Sequence, residues 1–193
     1  MKHFAFLLPL IWLIGCVQSL HPLYRDGDIT FDPAVAGTWT DENAKCRIDI
    51  APASDQQLYR ISYTDDDGKT GKFVAHLFKA KETLMLDLLP DDPNLVASDV
   101  YKAHLLPVHS FFVVEQTTPK IRITMMKLEW LKKFVEDHPD AIKHEKIDDR
   151  ILLTAQPAEM QAFILEHLKD KDAFSDTSEL TRIAPGSTSR PSR

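Results

Sequence analysis

Positive charge and cysteine are both scarce in this chain. Its 193 residues carry 23 Lys and Arg against 29 Asp and Glu, a formal net charge of -6. That balance excludes a basic nucleic-acid surface and gives no reason to expect a nucleic-acid partner. It equally excludes attachment to membranes through a polybasic patch. The two cysteines, Cys16 and Cys46, allow one disulfide at most. Long hydrophobic runs are missing too. The one apolar stretch, ending at Ile14, belongs to a segment of roughly fourteen residues, short of the roughly twenty that a spanning helix needs. There is no internal repeat, no Gly-x-Ser-x-Gly elbow and no Gly-rich phosphate loop, so the common esterase and nucleotide-binding signatures are missing. Hydrophobic content of 44% is that of a folded chain, and the length suits a single domain with a real core.

What is present begins at the N-terminus. Lys2 and His3 precede the apolar run Phe4 to Ile14, the order of a secretory signal peptide. The run ends in Leu13-Ile14-Gly15-Cys16. This ending resembles the lipobox of bacterial lipoproteins: Leu, a small or aliphatic residue, Gly or Ala, then Cys. The resemblance implies a signal peptide over 1–15, lipidation of Cys16 on sulfur, and Cys16 as the mature N-terminus. Two or more acyl chains would then form a stable membrane anchor, where one holds only reversibly. Val17 stands where an inner-membrane retention signal would carry Asp, which points to the periplasmic side of the outer membrane in a double-membraned bacterium. Val17-Gln18-Ser19 also fits cleavage by the general signal peptidase, with Cys16 then incidental.

If Cys16 carries lipid, Cys46 has no partner within the chain. Cys46, Ile48 and Ile50 alternate with Lys45, Arg47 and Asp49, placing Cys46 on the apolar face of a strand as a buried, reduced thiol. Residues 16–31 read as a lipid-anchored tether, 32–183 as one globular domain, and 184–193 as a disordered tail.

Within the domain the first half is strand-rich. Leu58 to Thr64 alternates, the turn Asp65-Asp66-Asp67-Gly68 follows, and Gly71 to Lys79 and Thr83 to Leu89 continue the pattern. Leu105 to Glu115 is apolar on both faces, which requires a central place in the sheet or cover by a helix. Lys120 to Met126 is another strand. Helical spacing then marks Lys127 to His138, ended by Pro139, with an expected Glu129–Lys133 pair. A short strand from Ile151 to Thr154 precedes a second helix that opens at Pro157, with Met160, Phe163, Ile164, His167 and Leu168 as its stripe. The expected class is α+β: a curved antiparallel sheet or partial β-barrel with two packed helices.

Phe31-Asp32-Pro33 followed by Gly37-Thr38-Trp39 resembles the N-terminal signature of lipocalins. There a Gly-x-Trp opens the first strand and the Trp closes the lower end of the barrel. The chain departs from that pattern in placing a helix ahead of the strand at Ile151.

No catalytic or metal-ligating set can be assembled from spacing, so the chain reads as a non-enzyme without cofactor. His144-Glu145 lacks the second histidine of a zinc helix, Asp148 standing in its place, and reads as a solvated loop. Asp65, Asp67 and Gly68 have the wrong spacing for a calcium loop. His76, His104 and His109 read as polar residues near a sheet end, and Asp91-Asp92-Pro93 as a turn. Two functions remain. One is a non-catalytic envelope lipoprotein holding a small hydrophobic ligand or lipid, at residues the sequence does not specify. The other is a protein-interaction or structural lipoprotein without a cavity, its partner an envelope protein.

Overall fold

The computed structural model describes residues 16–54, 57–91 and 97–184. The signal-peptide expectation for 1–15, and the tail except Ala184, lie outside the described residues. Strand β1 is Gln18–Ser19, followed by β2 Gly37–Thr40, β3 Arg47–Pro52, β4 Tyr59–Thr64, β5 Thr70–Ala80 and β6 Thr83–Pro90. Then come the short helix α1 Asp99–Lys102, β7 His109–Gln116, β8 Ile121–Thr124 and α2 Leu128–Asp137. The hairpin β9 His144–Ile147 and β10 Arg150–Leu153, α3 Pro157–His167 and β11 Ser178–Arg182 complete the order.

Strands β2 to β8 form an antiparallel meander, and β6 also pairs with β7. The ring closes because β11 pairs with β8 on one side and β2 on the other, giving an eight-stranded antiparallel barrel. Closure leaves no unpaired edge within the ring. This is the lipocalin-like α+β architecture, with one departure: Met125 to Thr177, carrying α2, β9, β10 and α3, is inserted between the seventh and eighth barrel strands. The β4–β5 hairpin turns where expected, with Gly68 at φ +80°. That is a conformation only glycine adopts without strain.

Alternation along the strands divides the apolar residues between two cores. One face points into the barrel, where Trp39, Ile50, Tyr59, Ile61, Ala75, Leu77, Val114, Ile121 and Leu180 are buried. The other face of β5 to β7 carries Phe78, Met85, Phe111 and Val113 outward, where Leu131, Val135, Met160, Phe163 and Ile164 of α2 and α3 cover them. Burial of β7 on both faces therefore comes from helix cover. The two helices meet through aromatic rings: Trp130 stacks on Phe134 at 4.8 Å, and Phe163 and His167 close on Phe134 at 5.5 and 4.7 Å. Pro157 does occupy the first turn of α3, with Glu159 accepting from the Gln156 backbone N–H.

Several expectations are corrected. Residues 17–31 are not a free tether: Val17, Ser19 and Leu23 are buried. β1 pairs antiparallel with the start of β7 and parallel with β10. The apolar residues of this segment follow no single period, so its docking left no pattern in the sequence. The strand expected from Leu105 starts only at His109, and Leu105 and Leu106 stand exposed. Pro107 lacks a backbone N–H and restricts the residue before it, which holds that stretch out of the ladder. His144 is half-buried and Glu145 exposed, and both lie in a strand, β9, paired with β10. On α2, Glu129 pairs with Lys132 at 2.9 Å and not with Lys133.

Candidate functional site

The barrel encloses a cavity of about 920 Å³. Its wall is built from the inward faces of six consecutive strands and their closing partner: Ile48, Ile50, Ile61, Phe73, Leu77, Leu86, Leu88, Phe112, Val114, Ile121, Ile123 and Leu180. Several of these, among them Ile48, Phe73, Leu86, Leu88, Phe112 and Ile123, are only half-buried although they point inward. Side chains that face a filled core become fully buried, and these face open space. The cavity volume lies within the range of small-molecule sites, and its lining is mainly aliphatic and aromatic.

One end of the barrel is shut. Trp39 is fully buried and donates from Nε1 to the Val35 carbonyl at 2.9 Å. The Arg182 guanidinium lies 4.2 Å from the centre of the Trp39 ring system, a cation–π distance. The same group donates to the carbonyls of Ala36 at 2.8 Å and Ala34 at 2.7 Å. Gly37 makes this possible. Its φ is +143°, and a Cβ there would sit 2.0 Å from Arg182 Nη1. Phe31 stacks on Tyr59 at 5.2 Å, and Tyr59 and Asp32 exchange hydrogen bonds between hydroxyl and backbone. Burial pushes the Tyr59 hydroxyl above its ordinary range. Asp32 also caps the turn Pro33–Val35 through Ala34 N–H and accepts from Thr117 Oγ1 at 2.6 Å. The Gly-x-Trp pair thus sits where the lipocalin resemblance implied. Arg182 was missed, since nothing local marks a residue whose contacts lie 146 positions away.

The other end is open and is ringed by the 41–46 and 65–69 hairpins, the β6–β7 connection and the approach to β11. Asp41, Glu42, Asp65, Asp66, Pro90, Val108 and Asp176 border it. Cys46 is half-buried there and not hidden in the core. It does share the inward face with Ile48 and Ile50, and burial pushes its thiol up to about 11. Cys16 is also a free thiol and half-buried. It lines the cavity, with Sγ 3.8 Å from Met125 Sδ, and its own pKa is raised by burial.

The three histidines do not converge. His109 Nδ1 lies 2.6 Å from Asp87 Oδ1, deep between the barrel wall and the N-terminal segment. Asp87 is 1% exposed, and its Oδ2 accepts from the Leu23 backbone N–H at 2.9 Å. This carboxylate therefore fastens the N-terminal segment to the barrel. His76 lies tilted against Tyr24, with ring centroids 4.2 Å apart. His104 is exposed on the rim, its Nδ1 2.7 Å from the Val100 carbonyl. Asp91 accepts from Arg60 Nη1 at 3.0 Å, while Asp92 and Pro93 lie outside the described residues. Asp65 accepts from the Lys69 backbone N–H and Asp67 pairs with Lys69, as a turn requires. Among the described residues, no group of three His, Cys, Asp or Glu is placed to hold a metal ion, and no helix is long and apolar enough to cross a membrane.

Comparison with protein-family models, curated proteins and solved structures found no match to the chain, so the cavity and its rim carry the functional argument alone.

Proposed function

We propose that this protein is a bacterial cell-envelope lipoprotein, anchored through Cys16 on the periplasmic side of the outer membrane, whose barrel holds a small hydrophobic ligand without transforming it. The observation that carries the reading is the cavity of about 920 Å³ walled by half-buried leucine, isoleucine and phenylalanine. An apolar chamber with one open end suits an acyl chain or a ligand of like shape. The acidic residues at the mouth disfavour a small anion as the cargo. The alternative, an interaction protein without a cavity, has this chamber against it.

Protein beginning at Val17 should take up a fluorescent fatty-acyl probe saturably and melt at higher temperature in its presence. At a hundred times Kd, the ligand adds about 2.7 kcal/mol of stability. Leu86→Trp should block uptake, because Leu86 lies between Leu77 and Phe112 on the inner wall. Uptake without saturation, or no thermal shift, would move the choice to the interaction reading. The anchor is tested separately. Cys16→Ser should abolish acyl labelling, and a wild-type N-terminal peptide free of fatty acid would end the lipoprotein reading.

A further inference from the structure

The chamber has a graded wall. Its lower part is aliphatic and aromatic, but its lip carries carboxylates. Asp41 and Glu42 stand on the 41–46 hairpin, Asp65 and Asp66 on the 65–69 hairpin, and Asp176 just ahead of β11. In the ring order β11, β2, β3, β4 and β5 are neighbours, so these groups share one arc of the mouth. Among the described residues, Lys45 is the one Lys or Arg that lines the cavity. Lys69, close by, is held by Asp67 at 2.9 Å. Among the described residues, none of the five carboxylates forms an ion pair.

A solvated acidic face is ordinary on a protein surface. This one differs in what lies beneath it. Tyr63 faces inward on β4, two positions above Ile61 on the same face, and it lines the cavity. Its hydroxyl has no hydrogen-bond partner among the described residues. Burial pushes that hydroxyl above its ordinary range, and the Cys46 thiol and the carboxylates of Asp65, Asp41 and Asp66 push it further. Three carboxylates from two hairpins therefore act on one inward ring. Asp41 accepts with one oxygen from the Lys45 and Cys46 backbone N–H groups, at 2.7 and 3.2 Å, and Asp65 with one from the Lys69 N–H at 2.8 Å. Each keeps its second oxygen, and Asp66 keeps both, without a partner among the described residues. An aromatic ring with unpaired carboxylates about it is a surrounding that suits an ammonium group.

We propose that Asp41, Asp65 and Asp66, with the Tyr63 ring, select the head group of the ligand, so that the barrel takes a single-chain amphiphile whose head is a cationic amine. The tail lies against Ile61, Phe73 and Leu86 on the inner wall, and the ammonium stops at the lip. A carboxylate head meets like charge at the same place. An uncharged head gains nothing from the carboxylates. One sign of charge around an apolar cleft also focuses the field and speeds entry of the opposite sign. The inference rests on the reading of the barrel as a binder of apolar ligands and is independent of the anchor.

The test measures binding of dodecylammonium, dodecanol and laurate to the full chain by calorimetry at pH 7, where the amine is protonated and the acid ionised. The three probes share a tail and differ in the head. At low ionic strength the amine should bind at least about tenfold more tightly than the alcohol or laurate, and added salt should narrow the gap. Joint Asp41→Asn, Asp65→Asn and Asp66→Asn substitution keeps an acceptor oxygen for each turn. It should bring the amine down to the level of the alcohol and leave alcohol binding unchanged. Leu86→Trp, in a chain that still melts cooperatively, should block all three probes. Amine uptake that survives Leu86→Trp is attachment to the acidic surface and overturns the proposal. So does an amine that binds no better than the alcohol or laurate, a result that leaves the chamber as a binding site. No saturable uptake of any probe would instead remove the ligand-binding reading, and this inference with it.

Discussion

Trp39 and Arg182 show how much of the closed end depends on two side chains. The indole is sealed beneath a guanidinium that also satisfies two backbone carbonyls. Trp39→Ala should cost roughly 3–5 kcal/mol in chemical denaturation, the range for a fully buried large aromatic. Near-wild-type stability would show that the barrel floor is held by other contacts. Cys46 offers a chemical readout of the opposite end. Burial disfavours the thiolate and pushes this thiol up to about 11. At pH 7.5 alkylation should run at least about tenfold slower than for an exposed cysteine, and accelerate as pH approaches 11. Rapid labelling at neutral pH would place the thiol outside the mouth. The sequence disclosed Trp39 and the facing of Cys46 through local pattern. It did not disclose Arg182, Asp87 or Gln161, whose partners are distant in the chain.

Among the elements, the N-terminal segment is the one most at odds with its sequence. Leu23 hydrogen-bonds through its N–H to Asp87 and through its carbonyl to Gln161 Nε2, which also donates to Asp28 at 2.9 Å. The Arg25 side chain, hydrogen-bonded to Asp28, holds that carboxyl below its usual range. A lowered carboxyl pKa contributes stability above the ordinary value near 4, and the contribution is lost as pH falls through the lowered one. Corrected for the intrinsic rate, the protection of the Leu23 amide should therefore fall below about pH 4 before that of the barrel strands, and Asp28→Asn should remove this early loss. Exchange that stays in step with the barrel down to pH 2 would remove Asp28 from this role. The strands of the meander were legible because period-two alternation and the Asp65–Gly68 turn are local signals. β1 and β11 were not, being short and defined by what they pair with. Periodicity marked the apolar face of β3 and β4 but gave none for β7, which is apolar on both sides, and whether an apolar face meets other side chains or empty space depends on barrel diameter, which no local window encodes.

For the whole molecule, the consequence of inserting Met125 to Thr177 ahead of the last barrel strand is a matter of time. As the chain emerges into the compartment where it folds, seven barrel strands come first. β2 and β8 must then stand with bare backbone on one side while two helices and a hairpin are still to follow. Non-local closure of this kind is slow, and exposed strand edges invite pairing between chains. Folding of the barrel is therefore expected to wait for β11, which is also the strand that carries Arg182 to the floor. A chain ending at Thr177 should show no cooperative melting transition and should elute as aggregates in size-exclusion chromatography. Supplying the missing 178–184 segment as a separate peptide during refolding should recover monomer in proportion to peptide concentration. A truncated chain that remains monomeric and melts cooperatively would mean the seven-stranded intermediate shields its own edges, and that the last strand is an adornment of the barrel and not its clasp.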